Sequence, residues 1–391
     1  MSRSDAAGAL GGRGPAPPVP QCRAGGHCLI WGLLASWGLL LGWSPASADW
    51  PLFRGDPQLS GTTAALPRQL DLAWAFDTGA GIESTAAVVA GRVYVGSLDG
   101  ALHALDLENG EVQWRYEAEG AIKSSPAVAF GSLFFGDEAG AFHAVDAETG
   151  EVRWVFRAGA GITSSANLAG ERVVFGSYDQ HLYCLSARNG SPQWKVETEG
   201  YVHGSPAVVG EAIAIAGCDG SLRLVRAADG SPVLQAPLGT YVGASVAVLR
   251  GRGYLGTFGG EMMGLDLAGG DILWRRQDPE GQDPFLASAA VCASHAVFAG
   301  RDRTVHALDP DSGVELWRWA AGAPMDSSPV IAGDRVFLGT SDGVIQALEL
   351  QSGVPVWRFE TGSSISASPS VAADRLVIGA DDGILYCFGA R

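Results

Sequence analysis

The sequence predicts an all-β protein, an eight-bladed β-propeller of four-stranded antiparallel blades closed by its N-terminal strand. Three observations predict this fold: tryptophans recur about every 40 residues, a glycine-rich turn string recurs eight times, and no segment beyond residue 48 has a sustained helical period. The 391 residues include 55 glycines and 12 tryptophans, and only 17% are charged. This composition suits short strands joined by turns and excludes a disordered chain or a helical bundle.

The tryptophans define the repeat. Seven of them occupy one position: Trp74, Trp114, Trp154, Trp194, Trp274, Trp317 and Trp357. Leu234 stands where an eighth would fall. We expect each indole to insert between adjacent blades, where it contacts the next unit's small residue and turn and buries a large apolar area. The small residues that make room for it are Ala104, Ala144, Cys184, Gly264, Ala307, Ala347 and Cys387.

A second marker, the first glycine of a G-S/T-x-D-G string, sets the number of units at eight. It recurs at Gly96, Gly136, Gly176, Gly217, Gly256, Gly300, Gly339 and Gly379. Around each marker lie four short apolar runs bounded by turn residues, as at 124–128, 133–136, 141–146 and 150–154, so each unit is predicted to hold four strands. The last unit ends without its tryptophan strand, and we expect residues 72–76 to complete it.

Residues 1–48 have the pattern of a secretory signal peptide. An uncharged apolar run from Cys28 to Trp43 follows three arginines and precedes Ala46-Ser47-Ala48. The run is shorter than the ~20 residues of a spanning helix, so we expect cleavage after Ala48, with an uncleaved anchor as the alternative. This predicts a periplasmic or secreted protein whose residues 49–391 form one propeller domain without a transmembrane span. No cysteine follows the apolar run where a lipoprotein would carry its lipid.

Charge and cysteine content exclude several classes of partner and cofactor. The net charge is −16 and the only lysines are Lys123 and Lys195, which leaves no basic surface for nucleic acid. Of the cysteines beyond residue 48, Cys184 and Cys387 fall in distant units and cannot meet, whereas a bridge between Cys184 and Cys218 in neighbouring units stays open. No metal site is predicted, because the three histidines that share one repeat position lie in separate blades: His103, His143 and His306.

The repeat carries a family resemblance. Residues 144–154, AVDAETGEVRW, match the pattern A-x-D-x-x-T-G-x-x-x-W in full, and 104–114 and 307–317 match it apart from the threonine. These residues, with the opening string WPLFRGDP at 50–57, resemble the pyrroloquinoline-quinone (PQQ) type of β-propeller. That resemblance implies the propeller fold. The family includes quinone-dependent dehydrogenases and non-catalytic propellers, among them a subunit of the outer-membrane β-barrel assembly machine, which this chain resembles most in style.

Departures from the enzymes of that family bear on cofactors. The alcohol-oxidising members have an adjacent pair of cysteines over the quinone and a set of Ca²⁺ ligands, and the enzymes carry long insertions. This chain has no adjacent cysteines and its units are nearly uniform in length. We therefore expect no bound cofactor, and PQQ with Ca²⁺ enters only if the chain is a small dehydrogenase.

The most variable repeat position gives the candidate site. It lies just before the first strand of each unit and should ring one mouth of the central channel. Its occupants, here called the mouth residues, are Glu83, Lys123, Thr163, His203, Gly243, Leu286, Asp326 and Ser366. They include no pair of a nucleophile and a base, so they do not predict catalysis. A solvated channel mouth, which tolerates any polar residue, also explains them. The single expanded loop between units, with Asp278, Glu280 and Asp283, is a candidate contact for a partner.

Three functions remain open from the sequence. The preferred one is an exported, non-enzymatic scaffold that binds another envelope protein through the mouth and the expanded loop. The first alternative is a small quinoprotein dehydrogenase or ligand-binding propeller that uses Glu83, Lys123, His203 and Asp326. The second is a module that binds polysaccharide or the envelope surface through Tyr201 and Tyr241, which lie beside the mouth in sequence.

Overall fold

Eight four-stranded antiparallel sheets form a ring of blades, which confirms the predicted eight-bladed propeller. The computed structural model describes residues 49–277 and 283–390, and this part of the chain contains strands, turns and no helix. No helix in these ranges could therefore cross a membrane. The predicted signal peptide, residues 1–48, lies outside the described residues.

In each blade the strands follow one another from the central channel outward. Blades 1 to 4 comprise, in chain order, Ala87–Val89, Arg92–Gly96, Ala101–Asp106 and Val112–Glu117; Ala127–Ala129, Ser132–Gly136, Ala141–Asp146 and Val152–Arg157; Asn167–Ala169, Arg172–Ser177, His181–Ser186 and Pro192–Glu197; Ala207–Val209, Ala212–Ala216, Ser221–Arg226 and Pro232–Pro237. The innermost strands have only two or three residues, so the channel wall is short.

Blades 5 to 8 repeat this order. Their strands are Ala247–Leu249, Arg252–Gly256, Glu261–Asp266 and Ile272–Gln277; Ala290–Val291, Ala296–Ala299, Thr304–Leu308 and Glu315–Ala320; Val330–Ala332, Arg335–Gly339, Val344–Glu349 and Pro355–Glu360; Ser370–Ala372, Arg375–Gly379, Ile384–Gly389 and Asp71–Asp77. The N-terminal strand Asp71–Asp77 pairs antiparallel with Ile384–Gly389, so it completes blade 8 as the sequence predicts. A two-residue strand, Thr62–Thr63, pairs parallel with the inner strand of blade 7.

The tryptophans join neighbouring blades through their turns. Trp74 of blade 8 donates its indole N–H to the carbonyl of Leu107 in blade 1 at 2.8 Å, and Trp317 of blade 6 donates to Leu350 in blade 7 at 2.7 Å. Under six of the seven rings lies a glycine of the next blade's turn, such as Gly110, whose φ of +75° and close approach to Trp74 leave no room for a side chain. The predicted contact with the next turn is therefore confirmed.

The small residues lie elsewhere than predicted. The sequence placed them in the next blade, but the strand register sets each one opposite the tryptophan of its own blade, as Ala104 opposite Trp114. Directly opposed side chains are about 4.5–5.5 Å apart, so a small partner gives the indole its space. Blade 4 lacks the tryptophan, and there Leu224 lies opposite Leu234.

The opening segment, residues 50–63, closes one end of the channel. It runs along the inner strands in blade order, and its carbonyls accept amide N–H groups from blades 1, 2, 4, 5, 6 and 7. Val128 donates to Pro51, and Val208 donates to Pro57, both at 2.7 Å. Arg54 lies buried in this segment and donates to the carbonyls of Ala289 and Pro329. Within the described residues, the channel is consequently open for binding only at its other end.

Candidate functional site

All eight mouth residues line one cavity of about 460 Å³, and Phe53 of the opening segment also lines it. The repeat places them there, because each precedes an inner strand by the same number of residues. Two residues after each mouth residue, and before the inner strand begins, a serine or threonine also lines this cavity. The sequence therefore brings the eight positions together; whether they bind a ligand is a separate question that their chemistry must answer.

Lys123 forms the first charged group of the mouth. Its Nζ lies 3.1 Å from Glu138 Oε1 and 3.6 Å from Glu83 Oε1. Desolvation lowers the pKa of Lys123, but the hydrogen bond to Glu138 and the charges of both glutamates outweigh it and raise the pKa overall. The ammonium is thus held between two carboxylates.

Asp326 forms the second charged group. Arg301 donates to it through Nε and a terminal nitrogen, both at 2.8 Å, in the bidentate geometry that fixes a carboxylate most firmly. The backbone N–H of Arg301 also donates to the carbonyl of Pro284 at 3.1 Å. This contact brings the end of the predicted partner loop beside the mouth, where Asp283 is exposed. Asp278 and Glu280 lie outside the described residues.

His203 belongs to a third, aromatic group. Its Nδ1 lies 2.7 Å from the hydroxyl of Tyr178 and 3.4 Å from that of Thr163. Desolvation first, and the charge of Lys123 second, lower the pKa of His203, so the neutral imidazole is favoured. Tyr178 lies beside Tyr201, with ring centroids 5.2 Å apart.

Three aromatic side chains, here called the aromatic arc, are exposed next to this group. Tyr201 and Tyr241 occupy equivalent positions after blades 3 and 4, and Phe258 packs over the mouth residue Gly243. Their exposed fractions are 52%, 63% and 44%. Exposed aromatic side chains grouped on one face are typical of interaction sites.

Sequence reasoning missed the residues that partner the mouth residues. They come from the variable x of the G-S/T-x-D-G string, and they are Glu138, Tyr178, Phe258, Arg301 and Asp381. Asp381, for example, accepts from both the backbone N–H and the hydroxyl of Ser366 at 3.1 and 3.0 Å. The signal was present, because x varies freely between fixed neighbours just as the mouth position does.

The histidines at the shared repeat position stay in their separate blades, and two of them bond to an aspartate of their own blade's turn. His143 Nε2 lies 3.1 Å from Asp137, and His306 Nε2 lies 2.7 Å from Asp302. His103 is buried with no hydrogen-bond partner for either ring nitrogen among the described residues. Within residues 49–277 and 283–390, no group of three or more potential ligands could hold a metal ion.

The four cysteines of the described ranges are free thiols, which answers the question that the sequence left open. Cys184 is buried, and Cys218 is half-buried with its Sγ near the carbonyl of Val242. Burial raises the pKa of Cys184 to about 12, so this thiol is unreactive and serves as the small residue opposite Trp194.

The eight blades form a closed ring, and their indoles bond to the next blade's turn. Together with the repeats described above, this arrangement defines a PQQ-type β-propeller. A sequence profile of the family described as outer membrane protein assembly factor BamB matches residues 63–177, 124–250, 178–295 and 259–390. These matches overlap and together extend over most of the chain. The chain belongs to this family.

Solved structures share the fold. BamB from Moraxella catarrhalis superposes with a TM-score of 0.71 at 21% identity, over 83% of this chain and 98% of that one. Quinohemoprotein alcohol dehydrogenase from Comamonas testosteroni gives 0.75 at 15% identity, over 88% and 81%, and a europium-containing methanol dehydrogenase gives 0.74 at 14%, over 88% and 98%. At these identities the likeness concerns the fold alone. No curated protein sequence matches the chain.

Proposed function

We propose that this chain is an exported, non-enzymatic scaffold of the bacterial cell envelope, periplasmic or secreted, that binds a partner protein with its mouth-side face. Membership of a family described as an outer membrane protein assembly factor supports this role. The aromatic arc is the observation that carries it. Exposed tyrosine and phenylalanine beside paired charges is the composition of a protein interface, where aromatic residues supply most of the binding energy.

The expanded loop extends the same face. Asp283 is exposed and adjoins Pro284, which is bonded to Arg301 at the mouth. Acidic residues on a loop at the rim of an interface accelerate association with a basic partner more than they tighten the complex. Asp278, Glu280 and Asp283 are therefore assigned to steering, and Tyr201 and Tyr241 to affinity.

A quinone fits this mouth poorly, which weighs against the dehydrogenase alternative. PQQ carries three carboxylates and needs cationic partners, but the two cations that line the cavity, Lys123 and Arg301, are already bonded to carboxylates. Glu83, Glu138 and Asp326 leave the lining with an excess of negative charge. Titration of the purified chain with PQQ and Ca²⁺ tests this directly: saturable uptake that Lys123→Ala abolishes would establish a quinoprotein instead.

The scaffold proposal is tested by a photo-crosslinking amino acid placed at Tyr241 in the chain expressed in its native envelope. Val354, about half exposed on a turn at the opposite end of blade 7, is the matched control position. We expect one discrete adduct from position 241 and none from 354. Equal crosslinking from both positions would mean that no specific partner docks on the mouth.

Affinity for the identified partner then assigns the residues. Replacing Tyr201 and Tyr241 together with alanine is expected to weaken binding at least tenfold, since a central aromatic contact contributes about 2 kcal/mol. The triple variant with alanine at Asp278, Glu280 and Asp283 is expected to slow association. If both variants bind as the parent chain does, the mouth-side face is not the interface.

A further inference from the structure

Eight hydroxyl groups, here called the belt, form a ring around the cavity. The belt consists of Thr85, Ser125, Ser165, Ser205, Ser245, Ser288, Ser328 and Ser368, all of them buried and all in its lining. Seven of the hydroxyls accept the backbone N–H of the residue one blade earlier, at 2.8 to 3.0 Å. The serine at each step is thus an acceptor, and its own O–H proton is not used in that bond.

The belt protons have no acceptor among the described residues, although every belt residue is more than nine-tenths buried. A hydroxyl has one donor and two acceptor lone pairs, so each of the seven serines retains one donor and one lone pair. Because these hydroxyls line an open cavity, their remaining partners are the molecules that occupy it, water or a ligand. The cavity therefore calls for an occupant that both donates and accepts hydrogen bonds at several points around its circumference.

The charges at the mouth determine which occupant fits. Glu83, Glu138 and Asp326 outnumber Lys123 and Arg301, and both cations are engaged with these carboxylates. An anion would meet this excess negative charge, whereas an uncharged polyol would donate to the carboxylates and exchange hydrogen bonds with the belt. Two aromatic rings in the lining, Phe53 and Tyr178, supply apolar surface for the C–H face of a sugar ring.

We propose that this cavity binds the terminal residues of an uncharged saccharide. Its volume of about 460 Å³ lies within the range of about 300–1,000 Å³ of small-molecule sites. Because the opening segment pairs with the inner strands at the other end of the channel, a glycan chain enters only by its end. This site goes beyond the binding of a protein partner and involves no chemical change in the sugar.

Thr85→Val is the decisive variant. Thr85 is 3% exposed, and its hydroxyl takes part in no hydrogen bond among the described residues, so valine removes one inward hydroxyl and leaves the seven interblade bonds intact. Thr63→Val is the matched control, since Thr63 lies at the closed end. Partner binding should be unchanged in Thr85→Val, because that side chain is buried below the mouth.

The experiment titrates the purified full chain, without any partner, with neutral tetrasaccharides of glucose, galactose and N-acetylglucosamine by calorimetry, and with inorganic phosphate in a separate arm. We expect saturable binding of at least one tetrasaccharide, weakened about three- to tenfold by Thr85→Val and unchanged by Thr63→Val. Three results would overturn the proposal: no saturable binding up to ~10 mM, as for a cavity that holds water only; binding of phosphate alone; or equal affinity in Thr85→Val. Replacing Tyr201 and Tyr241 with alanine should weaken partner binding and leave saccharide affinity unchanged, because neither tyrosine lines the cavity, so the two proposals fail separately.

Discussion

The pair Leu224 and Leu234 in blade 4 offers a direct test of how the blades are packed. Elsewhere a tryptophan lies opposite a residue no larger than cysteine, and here two leucines share the same space. Replacing them with alanine and tryptophan should rebuild the arrangement of the other seven blades. The carbonyl of Leu267 stands 33 residues beyond position 234, which is the offset between Trp194 and its acceptor Ala227.

The expected energies follow from burial. Leu224 is almost fully buried, so Leu224→Ala alone should lower the free energy of unfolding by about 2–5 kcal/mol through the cavity it leaves. Leu234→Trp alone should cost about 1–3 kcal/mol, because Leu224 occupies the space that the indole needs. In the double variant the indole fills the cavity, so an interaction energy of about 2 kcal/mol or more in favour of stability is expected.

Urea denaturation of the four proteins, followed by circular dichroism, measures this cycle. The control is the same pair of substitutions at sites far apart, Leu224→Ala with Leu316→Trp, where Leu316 is an exposed residue of the outer strand of blade 6. Distant pairs should be additive to within about 0.5 kcal/mol. If the Leu224 and Leu234 substitutions are also additive, the small residue does not determine where the tryptophan fits, and the reasoning on blade packing is wrong.

Two further predictions concern single residues. Burial lowers the pKa of His103, so its protonation favours the unfolded chain and the protein loses stability as the pH falls below about 6.5. His103→Phe keeps the edge contact with Phe76 but cannot be protonated, so in thermal melts it should lose less stability than the parent chain between pH 8 and pH 5. An identical pH dependence of the two proteins would contradict this. Gly313→Ala should lower the free energy of unfolding by about 2 kcal/mol or more, because its φ is +68° and the new Cβ would lie 2.6 Å from Trp274. The control Gly322→Ala, at φ +85° with open space around it, should lower that free energy by only about 1 kcal/mol in urea titrations. Equal losses would show that the indole does not press on the turn.

The sequence predicts the architecture well because each blade repeats the same packing problem. Trp114 and Ala104 recur in register, and so does the turn glycine under the indole, so eight weak signals add up to one fold. The path of the opening segment could not be predicted in the same way. Residues 50–63 occur once, and their backbone groups pair with six different blades, which no local pattern encodes.

The sequence predicts where the mouth residues lie, but it does not predict all the residues that line the cavity with them. The repeat places Lys123, His203 and Asp326 around one cavity, because equivalent residues of a closed ring face a common axis. Their partners Tyr178 and Arg301 come from a different turn, and pairing across or within blades depends on side-chain reach rather than on spacing. The sequence does not indicate the hydroxyl belt for the opposite reason. A serine or threonine that recurs at the same position of every blade is as regular as the residues that pack the core.

Departure from the repeat does not by itself mark function, and blade 4 shows why. Leu234 breaks the pattern, yet its neighbour Leu224 compensates for the lost volume, so this irregularity belongs to packing. The mouth residues differ in kind, because they replace one another with opposite charges, aromatics and glycine, and nothing in the core requires those differences. Conversely, the belt keeps the pattern, but hydrogen bonds within the described residues use only one of the three hydrogen-bonding positions of each serine hydroxyl. The positions that we propose for binding are therefore those whose chemistry packing does not explain, and they lie at the open end of the channel.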